Sequence, residues 1–290
     1  MHAKKLFCLS ILTLLLTPLF SQAMKTDKPN PEPTKPTHTE KHIVVVAASY
    51  NNKDWYKKHI DSFASQDYPN KTMIYVDDLS PDKTGDLVEQ YIQEKNLEDC
   101  IILIKNETRK GALANQYYAI HPCKDDDIII ILDGDDWFAD NQVLSYINKV
   151  YQDPNIWLTY GQFKHLSNGK RGFCSPMPKR VVKNNDFRKH PHIPSHLRTF
   201  YAGLFQKIKI EDLMFEGDFL KMTGDIAAMF PMIEMASKGH FKFIPKILLI
   251  YNDLNSLNDH KVSKGLQRRL DLLIRSRPKY KPIESPFTNQ

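Results

Sequence analysis

Three aspartates directly follow the most apolar run of the chain. Residues 128–132 read IIIIL, and Asp133, Asp135 and Asp136 come next within LDGDDW. Carboxylates so close together supply the hard oxygen ligands that Mg²⁺ and Mn²⁺ prefer. A divalent ion held by them would neutralise charge as a diphosphate group leaves. The spacing therefore predicts a site for Mn²⁺ or Mg²⁺ beside a phosphorylated ligand. An acidic turn that only caps the following helix is the alternative.

Polar residues also follow three earlier apolar runs. They are Ser49, Tyr50 and Asn51 after HIVVVAA, Asp77 and Asp78 at the end of TMIYVD, and residues 106–111, with Arg109 and Lys110, after CIILIK. An aspartate there can accept hydrogen bonds from a base or a ribose, and Tyr50 can stack on a base. Arg109 or Lys110 can approach phosphate.

The elements that must position these residues alternate along the chain. Short apolar runs at 42–48, 72–77, 100–105 and 128–132 have the length of strands, and apolar residues recur at helical spacing between them. This alternation predicts an α/β fold with a mostly parallel sheet flanked by helices. Ligands of such sheets bind beyond the carboxyl ends of the strands, so all four polar clusters are expected at one edge.

Five motifs in this region resemble the successive motifs of family 2 glycosyltransferases, which have the GT-A fold. They are AASYNN, SFASQDYPN, YVDDLSPDKTGD, NETRKGALANQ and LDGDDW, and they lie in the family's order within residues 43–161. The resemblance implies transfer of a sugar from a nucleotide diphosphate sugar, with a UDP-sugar favoured, to an acceptor hydroxyl. It also implies a divalent metal and inversion at the anomeric carbon.

The resemblance also assigns roles to single residues. Tyr50 and Asp78 would contact the nucleotide base, with Ser49 and Asn51 in the same donor-binding set, and Arg109 or Lys110 would lie near base or phosphates. Asp133 and Asp135 match the family's DxD aspartates, which contact ribose and metal, and Asp136 is a further metal candidate. His260 would approach the diphosphate or the metal, although a lone exposed histidine is the alternative.

The catalytic base is sought in the second half of the chain. Inverting transfer needs a carboxylate that takes the proton of the acceptor hydroxyl. Asp225, within TGD, resembles the family's acidic motif at the start of an acceptor-side helix and is our first choice, followed by Asp218. The alternative for Asp225 is that it only caps its helix. Glu234 is expected to pack or pair within the helix.

The pattern after residue 161 is less regular. A strand is expected at 156–160, a long loop or small insertion at 162–194, helices at 195–208 and 224–238, and extended structure at 241–252. We expect Pro231 to kink or divide the second helix. His190, His192 and His196 have a spacing compatible with zinc, although the flanking prolines favour a loop.

The chain begins with a pattern typical of a signal peptide. Residues 1–23 combine an early lysine pair, an apolar run and small residues near the end, and residues 24–41 are rich in proline. This predicts export to a secreted, periplasmic or lumenal location, with an uncleaved membrane anchor as the alternative. The remaining regions are a nucleotide-sugar half at 42–161, an acceptor half of the same domain at 162–275 and a tail at 276–290.

Charge and composition narrow the function. The formal net charge is +6, with acidic residues concentrated at 125–140 and basic residues at 162–192, which suits a metal site beside an anion-binding surface. The basic stretch has few interleaved aromatic residues, so nucleic acid is not an expected partner. The expected acceptor is a carbohydrate, glycolipid or glycoprotein.

Three further features bear on the alternatives. The closest string to the processive QxxRW motif is QRRL, so single or limited sugar addition is favoured. A sugar nucleotidyltransferase would have a glycine-rich loop after the first strand, and ASYNNKDW has none. A catalytically inactive, secreted carbohydrate-binding protein on the same fold is the other competitor.

Three cysteines outside the leader allow one disulfide and imply no disulfide framework.

Overall fold

In a computed structural model, which describes residues 39–191, 194–257 and 263–288, the four predicted strands lie side by side and parallel. They are β1 (Ile43–Ser49), β2 (Lys71–Asp77), β3 (Ile101–Lys105) and β4 (Ile128–Ile131). β1 and β4 occupy the middle of an eight-stranded sheet and are buried along nearly their whole length. Their continuous apolar sequences fit strands covered on both faces.

Helices occupy the predicted positions between these strands. They are α1 (Tyr56–Ala64), α2 (Thr84–Lys95), α3 (Ala112–Ile120) and, after β4, α4 (Val143–Val150). The residues spaced as one helix face, such as Tyr56, Ile60 and Phe63, are buried in the core. The predicted α/β class with a mostly parallel sheet is therefore confirmed.

Four more strands complete the sheet. These are β5 (Trp137–Phe138), β6 (Leu158–His165), β7 (Arg198–Tyr201) and β10 (Phe241–Tyr251), in the sheet order β3-β2-β1-β4-β7-β6-β10-β5. β7 runs antiparallel to both of its neighbours, β4 and β6. A separate hairpin is formed by β8 (Met214–Phe215) and β9 (Asp218–Phe219). The extended structure expected at 241–252 is confirmed by β10.

The helix predicted at 195–208 was wrong. Arg198–Tyr201 is the strand β7, and only Ala202–Gln206 forms a short helix, α6. Apolar residues at 197, 200, 201, 204 and 208 imitate helical spacing. All four β7 residues are buried, and their backbone is paired with β4 and β6. Pairing in the sheet interior therefore overrides the local pattern.

Three further α-helices lie in the second half of the chain. They are α5 (Lys179–Asn184), α7 (Gly224–Met235) and α8 (Lys264–Ser276). α5 lies within the stretch expected to be a long loop. α7 includes Pro231 and is not divided there. Cys100, Cys123 and Cys174 are free thiols. Among the described residues, no helix has the length and apolar character needed to span a bilayer.

A buried ion pair ties α7 to the segments around it. The Arg188 guanidinium donates to both carboxylate oxygens of Glu234, at 2.6 and 2.9 Å, and to the carbonyl of Ile274. The backbone N–H of Tyr280 donates to the same carboxylate at 2.9 Å. Glu234 thus pairs across helices rather than within its own, and it fixes the helix that begins with Gly224 and Asp225.

We predict that Arg188→Met destabilises the fold by about 3–5 kcal/mol, because it leaves the Glu234 carboxylate buried and uncompensated. Arg269→Met is the matched control, since the Arg269–Glu216 pair has side chains that are 67% and 69% exposed. It should cost less than about 1 kcal/mol. Urea denaturation of both variants measures the difference, and equal losses would contradict this account of the ion pair.

Candidate active site

A cleft of about 640 Å³ opens beyond the carboxyl ends of the parallel strands. Eight of the predicted site residues line it: Ser49, Tyr50, Asn51, Asp78, Arg109, Asp133, Asp135 and Asp225. Lys110 and Asp136 lie beside this lining rather than in it. His260 falls outside the described residues. Strand ends and the start of α7 therefore bring residues from both halves of the chain to one cavity.

The end of β1 is fixed by buried hydrogen bonds. The Tyr75 hydroxyl donates to Ser49 Oγ at 2.7 Å, and Asn52 Nδ2 donates to the same oxygen at 3.0 Å. The backbone N–H of Asn51, in the left-handed region at φ 56°, donates to Ser80 Oγ at 3.0 Å. Ser49 therefore anchors the loop that carries Tyr50 and Asn51.

Gly134 lets the aspartate loop lie against β1. A Cβ atom at this position would be 2.7 Å from Ser49 Cβ and 2.8 Å from Asn52 Nδ2. Both neighbours are buried and hydrogen-bonded to each other, so neither can easily yield. Glycine between Asp133 and Asp135 is thus required by the close approach of the two loops.

Arg109 covers the ring of Tyr50 at the mouth of the cleft. The guanidinium carbon lies 3.5 Å from the ring centroid, within the range of a cation–π contact. Arg109 Nε is 3.9 Å from Asp78 Oδ2, and the side chain is 59% exposed. The guanidinium is thus exposed to solvent at the mouth of the cleft.

Asp78 organises the loop that carries Arg109. Its carboxylate accepts from the backbone N–H groups of Lys110 and Gly111, both at 2.8 Å, and from Asn106 Nδ2 at 2.9 Å. Burial raises the pKa of Asp78, but the hydrogen bonds outweigh it and leave that pKa below its ordinary value. The Lys110 ammonium itself lies over the Tyr118 ring, 5.3 Å from its centroid. Lys110 thus contributes its backbone to this network.

The loop after β4 holds carboxylates in surroundings that disfavour their charge. Burial raises the pKa of Asp135 to about 6, against a hydrogen bond from Asn255 Nδ2 at 2.7 Å. Asp136 is fully buried, and its pKa is raised well above the usual range, first by burial and then by Asp135 and Asp133. Asp136 Oδ1 accepts from the backbone N–H of Asn252 at 2.7 Å, whereas Oδ2 has no partner among the described residues.

This donor set fits a hard divalent cation. Three carboxylates share one loop, all three have raised pKa values, and one buried oxygen of Asp136 is unpaired within the described part of the chain. A cation would offset the cost of holding the ionised forms away from water. Below the loop, the buried His59 ring contacts the Asp136 carbonyl at 2.8 Å, and burial lowers its pKa to about 4. His59 is therefore neutral and adds no positive charge.

His196, which the sequence indicated only as part of a zinc set with His190 and His192, lies beside two of these aspartates. Ligand atoms of Asp133, Asp136 and His196 lie within 4.8 Å of one another. Burial, and then the charge of Arg198, lower the pKa of His196 well below its usual value, so the ring is neutral and able to ligate a metal. The zinc alternative at His190, His192 and His196 includes His192, which lies outside the described residues, so it stays a prediction.

Arg198 is a site residue that sequence reasoning missed. Its buried guanidinium reaches Asp133 Oδ2 at 3.3 Å through Nη2 and Asp225 Oδ2 at 3.4 Å through Nη1. The wrong helix prediction hid it, because only the position of β7 beside β4 brings Arg198 to the aspartate loop. The information that would have revealed Arg198 is the pairing of its strand, β7, with the carboxyl end of β4.

Asp225 faces the cleft from the first turn of α7. Its side chain is 34% exposed, and its carboxylate contacts Arg198. The helix begins after Thr223, whose left-handed φ of 59° turns the chain, with no side-chain cap hydrogen bond. Asp218, the second choice, is 62% exposed on the β9 hairpin and is paired with Lys221 at 2.6 Å. The geometry thus favours Asp225 over Asp218 as the base.

Comparison with known proteins agrees with the motifs quoted above. Residues 44–209, more than half of the chain, match the family model described as glycosyl transferase family 2. The chain belongs to this family. The resemblance drawn from five short motifs is confirmed, and the matched region extends through β7 and α6 into the second half of this family 2 chain.

Two curated relatives of this family 2 chain are bacterial. One, from Escherichia coli, is described as a UDP-Glc:alpha-D-GlcNAc-diphosphoundecaprenol beta-1,3-glucosyltransferase and is 28% identical over 121 residues, 42% of this chain and 45% of the relative. The other, from Haemophilus influenzae, is described as an uncharacterized glycosyltransferase and is 28% identical over 118 residues, 41% of this chain and 37% of the relative. The chain thus matches less than half the length of either relative.

Solved structures share the GT-A fold. Staphylococcus aureus TarS 1–349 in complex with UDP-GlcNAc has a TM-score of 0.56 at 16% identity, covering 80% of this chain and 66% of that one. The mannosyltransferase PcManGT from Pyrobaculum calidifontis, in complex with GDP-Man and Mn²⁺, has a TM-score of 0.54 at 19% identity, covering 86% and 66%. At these identities the likeness shows the fold alone, and it confirms the GT-A prediction for this family 2 chain.

We predict that Gly134→Ala destabilises the protein by about 1–3 kcal/mol and weakens ligand binding in the cleft, because the added methyl forces the aspartate loop away from Ser49. Gly265→Ala is the matched control, since a Cβ there meets nothing within 4 Å and the position is helical. It should be neutral or stabilising by up to about 1 kcal/mol. Thermal unfolding and Mn²⁺ titration measure both effects, and a neutral Gly134→Ala would refute the close-approach argument.

Proposed function

We propose that this protein transfers a sugar from a nucleotide diphosphate sugar, with a UDP-sugar favoured, to a hydroxyl group of an acceptor. One observation carries the proposal. The donor motifs of a family 2 chain and a carboxylate from the second half of the chain, Asp225, line the same cleft. Such a transfer requires a donor site and a base on opposite sides of the reacting carbon.

The donor end of the cleft is assigned to the loops after β1, β2 and β3. Tyr50 offers a ring face for the base, and Arg109, now lying on that face, is free to move over the base or toward the phosphates. The Asp78 carboxylate holds the loop of Arg109 through three hydrogen bonds. The same oxygens are assigned to accept a further hydrogen bond from an N–H group of the base. The choice of UDP is supported by the E. coli relative, whose description names UDP-Glc, and by the TarS complex with UDP-GlcNAc.

The metal end is assigned to the loop after β4. Asp135 lines the cleft and has a raised pKa, so it is the primary ligand for Mn²⁺ or Mg²⁺, with Asp133 beside it. Asp133, Asp136 and His196 form a second, more buried group whose ligand atoms lie within 4.8 Å of one another, and Asp135 is not part of it. A bound divalent ion would offset the charge that develops on the leaving diphosphate. Mn²⁺ in the complex of PcManGT supports this choice of metal.

Asp225 is assigned as the base of a direct displacement. It takes the proton of the acceptor hydroxyl while the acceptor oxygen bonds to the anomeric carbon and the bond from that carbon to the diphosphate breaks. One displacement inverts the stereochemistry. The carboxylate is one-third exposed at the cleft, as contact with an incoming acceptor requires. Limited, non-processive addition to a carbohydrate, glycolipid or glycoprotein acceptor remains part of the proposal.

Export is a separate part of the proposal, and it rests on the signal-like residues 1–23. Sequencing the N-terminus of the mature protein separates a cleaved leader from an anchor followed by the proline-rich linker. The competing functions, an inactive carbohydrate-binding protein and a nucleotidyltransferase, are not favoured by the family match.

The proposed function is tested by incubating the full chain with UDP-glucose, UDP-GlcNAc and GDP-mannose, with Mn²⁺ and then with a chelator, and measuring nucleotide diphosphate release. We expect release from a UDP-sugar, and loss of release with chelator. Asp225→Asn should lower turnover by about 10²–10⁴-fold while UDP still binds. If none of the three donors binds, the proposed transferase function is rejected. If Asp225→Asn keeps full turnover, the role of Asp225 as the base is rejected.

We predict that Asp135→Asn stabilises the fold while abolishing Mn²⁺ binding. An acid whose pKa rises on folding, here from 3.8 to about 6, destabilises the folded state once it is ionised. The variant should therefore gain roughly 1–3 kcal/mol over the wild type at pH 8, with the gain shrinking as the pH falls through 6 and vanishing near pH 4. Denaturation at pH 8 and at pH 4 checks the change in stability, and calorimetric titration checks the loss of Mn²⁺ binding. Unchanged Mn²⁺ affinity would exclude Asp135 as a ligand.

A further inference from the structure

Arg198 is a buried cation between the two sides of the cleft. Its side chain is only 6% exposed, and each terminal nitrogen reaches a different carboxylate. Asp133, 3.3 Å away, belongs to the donor loop after β4, whereas Asp225, 3.4 Å away, starts the acceptor-side helix α7. The guanidinium is therefore a rigid spacer between the donor-binding carboxylate and the proposed base.

The strand that carries Arg198 is held in place from both sides. Arg198 lies opposite Ile131 at the end of β4, and Thr199 lies opposite both Ile130 and Thr159. Thr199 Oγ1 is fully buried and hydrogen-bonded to Thr159 at 2.6 Å and to the Tyr151 hydroxyl at 2.9 Å. The backbone of Arg198 is therefore held in the sheet. Its guanidinium extends from a fixed position, as it would not from a mobile loop.

We propose that Arg198 is a positioning residue for the transfer, which orients the Asp225 carboxylate relative to the donor held at Asp133. This inference rests on the proposed function. Arg198 contacts Asp225 through Oδ2, which leaves Oδ1 to accept the proton of the acceptor hydroxyl. The planar fork serves two carboxylates at once, and a lysine ammonium, a single point charge, cannot reproduce that geometry.

A positioning role differs from two simpler roles in what it predicts. If Arg198 only stabilised the fold, its loss would lower the melting temperature and leave the turnover of the folded protein unchanged. If Arg198 only supported Asp133, its loss would weaken donor binding and spare turnover at saturating donor. Misplacement of a base by about 1 Å costs on the order of 10²-fold in rate, with little effect on ground-state binding.

The test compares Arg198→Met, Arg198→Lys and Asp225→Asn with the wild type, using whichever of UDP-glucose, UDP-GlcNAc and GDP-mannose the wild type turns over. Nucleotide release at saturating donor gives kcat, calorimetry gives the affinity for the free nucleoside diphosphate with Mn²⁺, and thermal melting verifies folding. Arg180→Met on α5 is the matched control, because Arg180 is exposed and remote from the cleft lining.

We expect Arg198→Met to lower kcat by about 10²-fold, with nucleotide affinity changed by less than about threefold. Arg198→Lys should recover only part of this loss, and Arg180→Met should match the wild type. Wild-type kcat in folded Arg198→Met, or a loss confined to nucleotide affinity, overturns the inference. If Arg198→Met does not fold, Arg198→Lys decides, and wild-type kcat in that variant overturns it equally. An inactive wild type, or an active Asp225→Asn, would instead reject the proposed function.

Discussion

The cleft is organised around the contact of one buried guanidinium with two carboxylates. Four carboxylates lie near the end of β4 and the start of α7, namely those of Asp133, Asp135, Asp136 and Asp225. Among the described residues, the cation that contacts two of them is Arg198. Histidines close by, His59 and His196, have pKa values lowered by burial and stay neutral. The site is therefore short of positive charge. That shortage destabilises the empty protein and favours a cation at these carboxylates.

The rest of the fold serves to keep these groups at fixed distances. Parallel strands bring the ends of β1, β2 and β4 to one edge, and Gly134 lets the aspartate loop pack against Ser49. The antiparallel strand β7 then inserts beside β4 and delivers Arg198 to the same edge. On the acceptor side, the buried Arg188–Glu234 pair fixes α7 and with it Asp225. The loop after β4 and the start of α7 are thus held by separate contacts, and Arg198 touches a carboxylate from each.

Much of this arrangement could be predicted from the sequence, and the exceptions have physical causes. The apolar runs of β1 to β4 and the helical spacing of residues such as Tyr56 and Ile60 identified the parallel half, because local pattern and burial agree there. The polar clusters after those strands predicted residues that line the cleft. By contrast, Leu197, Phe200 and Leu204 imitate a helix, so β7 was missed, Arg198 was missed with it, and His196 was considered only for a zinc set. Their placement depends on pairing with β4, which lies more than 60 residues earlier and leaves no local trace.

The most direct test of the account is a crystal structure of the full chain with UDP and Mn²⁺, with the ion located by its anomalous scattering. The account predicts Mn²⁺ bound between the diphosphate and the Asp135 carboxylate, the uracil ring against Tyr50, and Arg198 still joined to Asp133 and Asp225. An ion bound away from the loop after β4, or UDP bound outside the cleft, would contradict it.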